Sequence, residues 1–437
     1  MIRFFIAVLA FVTLTGAAQA EIKIREVTSP GGITAWLVEQ HSIPFTALEI
    51  RFKGGASLDA PGKRGEINLM TALLEEGAAD MDSRAFSAAR DSLAASYEFD
   101  AYDDAVSISA RFLSENRDQA VDLLRLALQQ PRFDPDAIER VRGQVLSNIR
   151  SDLKDPNKIA ARVFDRLAFG EHPYASSYNG TPESVAALTR DDMFAAKDRV
   201  MARDRLYVSA VGDITPEALG ALLDRLLGGL PATGAPMPHQ APFNLTGGVT
   251  VVPFDTPQSV VVFGEKGIKR DDPDFFAAYM MNQILGGSGF QSRLMREVRE
   301  KRGLTYGVYS YLVPKDYAEV FMGQVASAND KVGQALQVIR DQWERLARDG
   351  VTAKELADAK TYMTGAYPLR FDGNGPIANI MVGMQMQDLP IDYIATRNAK
   401  VEAVTLEDIR RVASRLVKPE DLRFVVVGQP EDVTVQN

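Results

Sequence analysis

The strongest constraint on this chain is that it repeats itself. Leu188–Asp213 (LTRDDMFAAKDRVMARDRLYVSAVGD) aligns without a gap to Val404–Gln429 (VTLEDIRRVASRLVKPEDLRFVVVGQ), at an offset of 216 residues. Thr189 matches Thr405, Asp192 matches Asp408, Arg199 matches Arg415, Leu206 matches Leu422 and Gly212 matches Gly428. Each copy reads as a helix followed by a strand. Agreement in phase, length and closing glycine points to duplication. Between the copies, Pro231–Pro242 holds four prolines, which stiffen the chain and resist helix and sheet. The chain therefore reads as two similar halves, 21–230 and 245–437, joined by a linker at 231–244.

Within each half the strands cluster and the helices cluster. Ile22–Gln40 alternates around Gly31-Gly32 as a β-hairpin, and Val106, Ile108 and Ala110 alternate in a later strand. Ile67, Met70, Leu73 and Leu74 recur at helix spacing over Gly65–Glu76, with Gly77 as the expected C-cap. The fold class is α+β: two homologous domains, each a largely antiparallel sheet with helices packed on one face.

Composition narrows the setting. Arg3, the apolar run Phe4–Leu14 and Ala18-Gln19-Ala20 form a signal peptide over 1–20, too short to span a bilayer. No cysteine is present, so no disulfide framework holds the exported chain, which suits a bacterial periplasm. No later segment is apolar enough to act as a membrane anchor. The formal net charge of −9 offers no basic face for nucleic acid.

The chemistry-bearing stretch is Gly286–Tyr311 (GGSGFQSRLMREVREKRGLTYGVYSY), a glycine turn, an amphipathic helix, a stop at Gly303 and a tyrosine-rich strand. Phe290, Leu294 and Val298 form its buried stripe. Helix spacing pairs Glu297 with Lys301 and Arg296 with Glu300. Arg299 has only Met295 and Gly303 at that spacing. Its fork of donors suits a carbonyl or carboxylate, and Tyr306 is a neutral donor suited to an oxyanion. From pattern alone, Arg299 reads as a solvated surface charge and Tyr306 as a half-buried strand residue. The three histidines, His41, His172 and His239, are scattered, with no zinc, nucleotide or nucleophile-elbow motif around them.

Several segments together resemble the insulinase, pitrilysin and mitochondrial processing peptidase family of inverted-motif zinc peptidases. They are Gly65–Ala78, Phe133–Ile149, the HPY and GTPES motifs of His172–Leu188, Val211-Gly212-Asp213, and Leu285–Val308. The resemblance implies half of a clam-shell. Active members carry H-x-x-E-H three residues after the glycine. Here the ligand positions fall on Asn68, Thr71 and Ala72, and the third ligand falls on Asn148. Thr71 and Ala72 do not bind zinc, and two amides make a poor site.

Zinc-free members of the family pair with an active partner and keep an arginine and a tyrosine that point into the shared chamber. Those map to Arg299 and Tyr306. The resemblance thus implies a zinc-free subunit of a heterodimeric metallopeptidase. Zinc would be in the partner, a homologous subunit bearing H-x-x-E-H, and the substrate would be a peptide. It also implies that peptide adds to a sheet edge at Tyr97, Glu98, Phe99, Asp100 and Ala101. The alternative is a stand-alone peptide-binding or structural subunit.

Overall fold

The computed structural model describes residues 22–289 and 291–435. The expected signal peptide, and Phe290 of the expected buried stripe, lie outside them. The first half contains β1 (Arg25–Thr28), β2 (Thr34–Glu39), β3 (Phe45–Lys53), β4 (Ser96–Ala101), β5 (Ala105–Leu113) and β6 (Leu206–Gly212). Its longer helices are α1 (Glu66–Ala72), α2 (Ser83–Ser92), α3 (Arg117–Gln129), α4 (Pro135–Asp152), α5 (Pro156–Phe169), α6 (Arg190–Val200) and α7 (Pro216–Leu227). The second half contains β7 (Gly248–Pro253), β8 (Gln258–Lys266), β9 (Val308–Pro314), β10 (Glu319–Ala328) and β11 (Arg423–Gly428). With them stand α8 (Phe275–Gly286), α9 (Val332–Asp349), α10 (Ala353–Ala366), α11 (Asn374–Met386), α12 (Tyr393–Ala403) and α13 (Leu406–Leu416).

The two sheets share one topology. The first runs β1-β2-β6-β3-β5-β4 and the second β9-β10-β8-β11-β7, so β2-β6-β3-β5-β4 matches β7-β11-β8-β10-β9 strand for strand. In each, one pair is parallel, β2 with β6 and β7 with β11. Every other pair is antiparallel.

The repeated residues do the same work twice. Thr189 with Asp192, and Thr405 with Asp408, are reciprocal capping boxes that satisfy backbone N–H groups at the start of α6 and α13. Arg199 approaches Glu66 at 3.6 Å on α1, and Arg415 reaches Asp272 at 3.0 Å, just before α8. Gly212 sits at φ 142°, where a Cβ would lie 2.2 Å from the Phe45 carbonyl oxygen. Only glycine lets the strand end pass that close.

The main helical layer of each half covers one face of its sheet, burying a large apolar core. The opposite faces are also apolar, and each is covered by a helix lent by the other half. From the first half, α5 lays Ile159, Ala160 and Phe164 on Val260, Val262, Val425 and Val427 of the second sheet. In return α11 lays Ala378, Met381 and Met384 on Trp36, Ala47 and Val211 of the first. Hydrogen bonds fix this exchange. Ser209 Oγ donates to the Ala378 carbonyl at 2.6 Å, and Gln385 Nε2 to the Val208 carbonyl at 2.8 Å.

A second tie uses the HPY motif. The Tyr174 hydroxyl donates to Asp104 and accepts from the Tyr317 N–H at 3.2 Å. Lys315 Nζ lies 2.6 Å from Asp103 and 4.2 Å above the Tyr174 ring. The halves are therefore joined by packing as well as by the irregular segment that precedes β7. No helix among the described residues is long and apolar enough to cross a membrane.

Candidate functional site

The helix at the expected metal position is intact but shorter than its periodicity predicts. It ends at Ala72 because Leu73 and Leu74 bond back to Met70 and Thr71, tightening the last turn. Gly77 is consequently not its C-cap but pairs with Asp82 in a two-residue bridge. The helix start is held from outside. Asp59 accepts from the Gly65 N–H at 2.8 Å and the Ile67 N–H at 3.0 Å. Ser184, in the capping box of the GTPES motif, donates to the Arg64 carbonyl at 2.7 Å.

On this scaffold the four degenerate positions do not make a metal site. Thr71 is buried and its hydroxyl donates to the Ile67 carbonyl at 2.7 Å. Asn68 is half-buried, and Ala72 is exposed and offers no donor atom. Asn148 is exposed on α4, with its amide oxygen taken by Gln144 Nε2 at 3.0 Å. Among the described residues, no three His, Cys, Asp or Glu side chains converge. Two amides and a hydroxyl committed to backbone do not fit zinc.

The second half builds a more elaborate arrangement around Arg299. Residues Met295–Glu300 are wound as a π-helix, with the Lys301 N–H bonded to the Arg296 carbonyl at 3.0 Å. Leu294, Met295 and Val298 are buried beneath it. Arg293, 2% exposed, forks onto Glu355 of α10 with two bonds of 2.7 Å. Burial would raise the Glu355 carboxyl, yet the bonds from Arg293 and Thr352 hold it at about 2.

Glu297 is also buried. It takes Lys301 at 2.8 Å on one oxygen and Arg302 at 2.9 Å on the other. Burial pushes its carboxyl up, and those two bonds outweigh it and hold it below the ordinary range. The Lys301 pair appears as helix spacing predicts. Arg296 instead approaches Glu297 at 3.7 Å and Glu355 at 3.8 Å. In place of the expected Glu300, Arg296 has the adjacent Glu297 and Glu355 of α10 beside it.

Arg299 lies half-buried on this π turn. Gly303, at φ 61°, then reverses the chain, with its N–H on the Arg299 carbonyl at 2.9 Å and the Leu304 N–H on Val298 at 3.0 Å. Ser327 Oγ anchors the Leu304 carbonyl at 2.5 Å, and Thr305 Oγ1 bonds the Ala326 carbonyl at 2.6 Å. Between these anchors and β9, Tyr306 stands 85% exposed. It precedes the strand rather than opening it, since β9 begins at Val308. Arg299 and Tyr306 thus occupy the two arms of one hydrogen-bonded reversal. Beside it is a cavity of about 1040 Å³, lined in part by Gln283, Ser288, Arg296, Asp358 and Tyr362. Nothing in the local sequence signals that cavity, because part of its wall comes from α10, far along the chain.

The expected peptide edge is an edge. β4 is the outermost strand of the first sheet and, among the described residues, pairs only with β5. Tyr97 and Ala101 are buried, Phe99 is half-buried, and Glu98 and Asp100 are exposed. The Tyr97 hydroxyl donates to the Ala120 carbonyl at 2.6 Å, so this side chain belongs to the core. What β4 offers outward is backbone.

Known proteins resemble this chain over nearly its whole length. The family described as peptidase M16 inactive domain matches residues 187–363. The non-peptidase homolog YmxG of Helicobacter pylori is 26% identical over 434 residues, covering 98% of this chain and 99% of that protein. The uncharacterized zinc protease SCO5738 of Streptomyces coelicolor is 26% identical over 404 residues, covering 89% and 86%. A solved structure of a peptidase M16 inactive domain from Pseudomonas fluorescens superposes with a TM-score of 0.87 at 28% identity, covering 95% of this chain and 99% of that one. The duplicated sheets, the helix at the metal position and the substituted ligands agree with these likenesses: over nearly its whole length the chain is similar to M16 peptidase-family proteins, among them ones described as inactive or non-peptidase.

Proposed function

We propose that this chain is the zinc-free subunit of a heterodimeric zinc metallopeptidase, supplying Arg299 and Tyr306 to the active site of a homologous partner that bears H-x-x-E-H. One contrast carries the reading. The ligand positions Asn68, Thr71, Ala72 and Asn148 have lost their chemistry on an intact scaffold. The reversal that carries Arg299 and Tyr306 is meanwhile anchored on both sides and leaves Tyr306 85% exposed. A tyrosine with no core to fill and a fixed backbone is arranged for something outside the chain.

The Arg299 guanidinium offers paired donors to a peptide carbonyl. The Tyr306 hydroxyl adds a neutral donor where negative charge develops on that oxygen. The partner's zinc would polarise the carbonyl and lower the pKa of the attacking water. Peptide would be held as an added strand on β4, from Tyr97 to Ala101, through backbone groups. The setting is the periplasm, after removal of residues 1–20, with halves 21–230 and 245–437 forming one side of a clam-shell. A stand-alone peptide-binding role is the second reading. It is favoured by Tyr306 just before the edge strand β9 and Tyr309 and Tyr311 on it, all exposed and able to hold peptide without a metal.

The test is to purify the chain alone and as the complex isolated from its native cell through a tag on this chain. The subunit reading expects no stoichiometric zinc and no cleavage by the chain alone, with chelator-sensitive cleavage by the complex. Chelator-sensitive activity of the chain alone overturns it. Peptide binding by a monomer that recovers no zinc-bearing partner favours the second reading.

A further inference from the structure

We infer that Glu297 is a positioning residue for Arg299 and Tyr306, holding the π-wound turn that aims them. This rests on the reading that those two residues act in a partner's site. In an α-helix, Lys301 stands beside Glu297 at four residues' spacing, while Arg302 points away around the axis. Bonds that run from i to i+5 bring residues five apart onto one side. That winding is what lets Glu297 engage Lys301 with one oxygen and Arg302 with the other, at 2.8 and 2.9 Å. Arg302 also donates to the Glu297 carbonyl at 2.8 Å, satisfying an acceptor at the end of the turn.

A buried carboxylate is costly unless its partners are in place. Here the partners are complete only in the π register, so Glu297 selects that register over an ordinary α turn. Arg299 lies two residues on, and the bonds from Gly303 to Arg299 and from Leu304 to Val298 close the same turn. Relaxation to α winding would rotate Arg299 about the axis and displace the route to Tyr306. Glu297 touches neither peptide nor metal in this scheme and acts only through the turn.

The test is a double-mutant cycle in the two-chain complex, using E297Q, R299Q and the combination, with R302Q as a milder variant at the protein surface. Misplacing a catalytic donor by about 1 Å costs up to roughly a hundredfold in rate. E297Q is therefore expected to lower kcat by tenfold or more, on the order of that effect. It should leave KM and co-purification of the two chains unchanged, and R302Q should lower kcat in the same direction. In the R299Q background E297Q should cost nothing further, because its effect passes through Arg299. An unchanged kcat in E297Q beside a defective R299Q sinks this inference alone, as do losses that simply multiply. A silent R299Q removes the reading on which it rests, and the inference with it.

Discussion

Glu265 sits near the end of β8, 2% exposed, and its carboxylate is held by neutral donors. Its two oxygens accept from Trp343 Nε1 at 2.7 Å and from the Lys418 N–H at 2.8 Å. Burial pushes its carboxyl up to about 8, and the two bonds offset only part of that. In the unfolded chain the same group releases its proton near 4.5. The sign follows. Between those two values the unfolded chain holds fewer protons than the fold, so stability is greatest below about 4.5 and falls as pH rises to 8. At about 1.4 kcal/mol for each pH unit, the loss approaches 5 kcal/mol, as an upper bound.

Replacing Glu265 by Gln removes the titration but leaves only one acceptor for two donors, at a cost of about 1–2 kcal/mol. The stability curves of E265Q and the parent should therefore cross. The variant should be weaker below pH 5 and stronger, by roughly 3 kcal/mol, above pH 8. Urea unfolding across that range measures it, with Trp343 as the local reporter, and all other titrating groups cancel between the two proteins. Parallel curves would refute the reasoning, since they would mean that Glu265 stays ionised in the fold.

Two further outcomes test the architecture. Phe164 of α5 is fully buried against the sheet of the other half, so F164A should cost about 3–5 kcal/mol. Trp36 and Trp343 report on opposite halves, and their unfolding transitions should coincide in the parent and separate in F164A. Removing the Thr405 hydroxyl in T405A should cost about 1 kcal/mol by breaking the cap of α13. It should also raise the Asp408 carboxyl from about 2, as followed by NMR titration.

The duplication was legible because caps and strand-end glycines are local. Thr189, Asp192 and Gly212 act on backbone within a few residues or at one close approach, so their identities survive in both copies. The exchange of α5 and α11 was not legible. Phe164 and Met381 read as apolar helix residues whichever sheet they cover, and nothing within a helix tells which half lies beneath it. The one-face helical layer is present, and the exchanged helices add a cover on the other side of each sheet.

The turn around Arg299 was found from spacing and from the family pattern, but its winding was not. Spacing at four residues gave Glu297 with Lys301 correctly. It gave Arg296 with Glu300, where the fold places Glu297 and, from α10, Glu355 beside Arg296. Arg293 with Glu355 was invisible for a similar reason, since the pairing spans helices far apart in the chain. Tyr97 lies on the outermost strand, but its hydroxyl is spent inside the core on the Ala120 carbonyl, a contact no local pattern announces.

Tyr306 is proposed to work across an interface. The most direct measurement is kcat of the isolated two-chain complex with Tyr306→Phe in this subunit alone. Losing one oxyanion donor costs about a hundred- to a thousandfold in kcat. A loss of that order is expected with the complex still assembled and its thermal stability unchanged, because Tyr306 is 85% exposed. A complex that cleaves peptide equally well with phenylalanine there would contradict it.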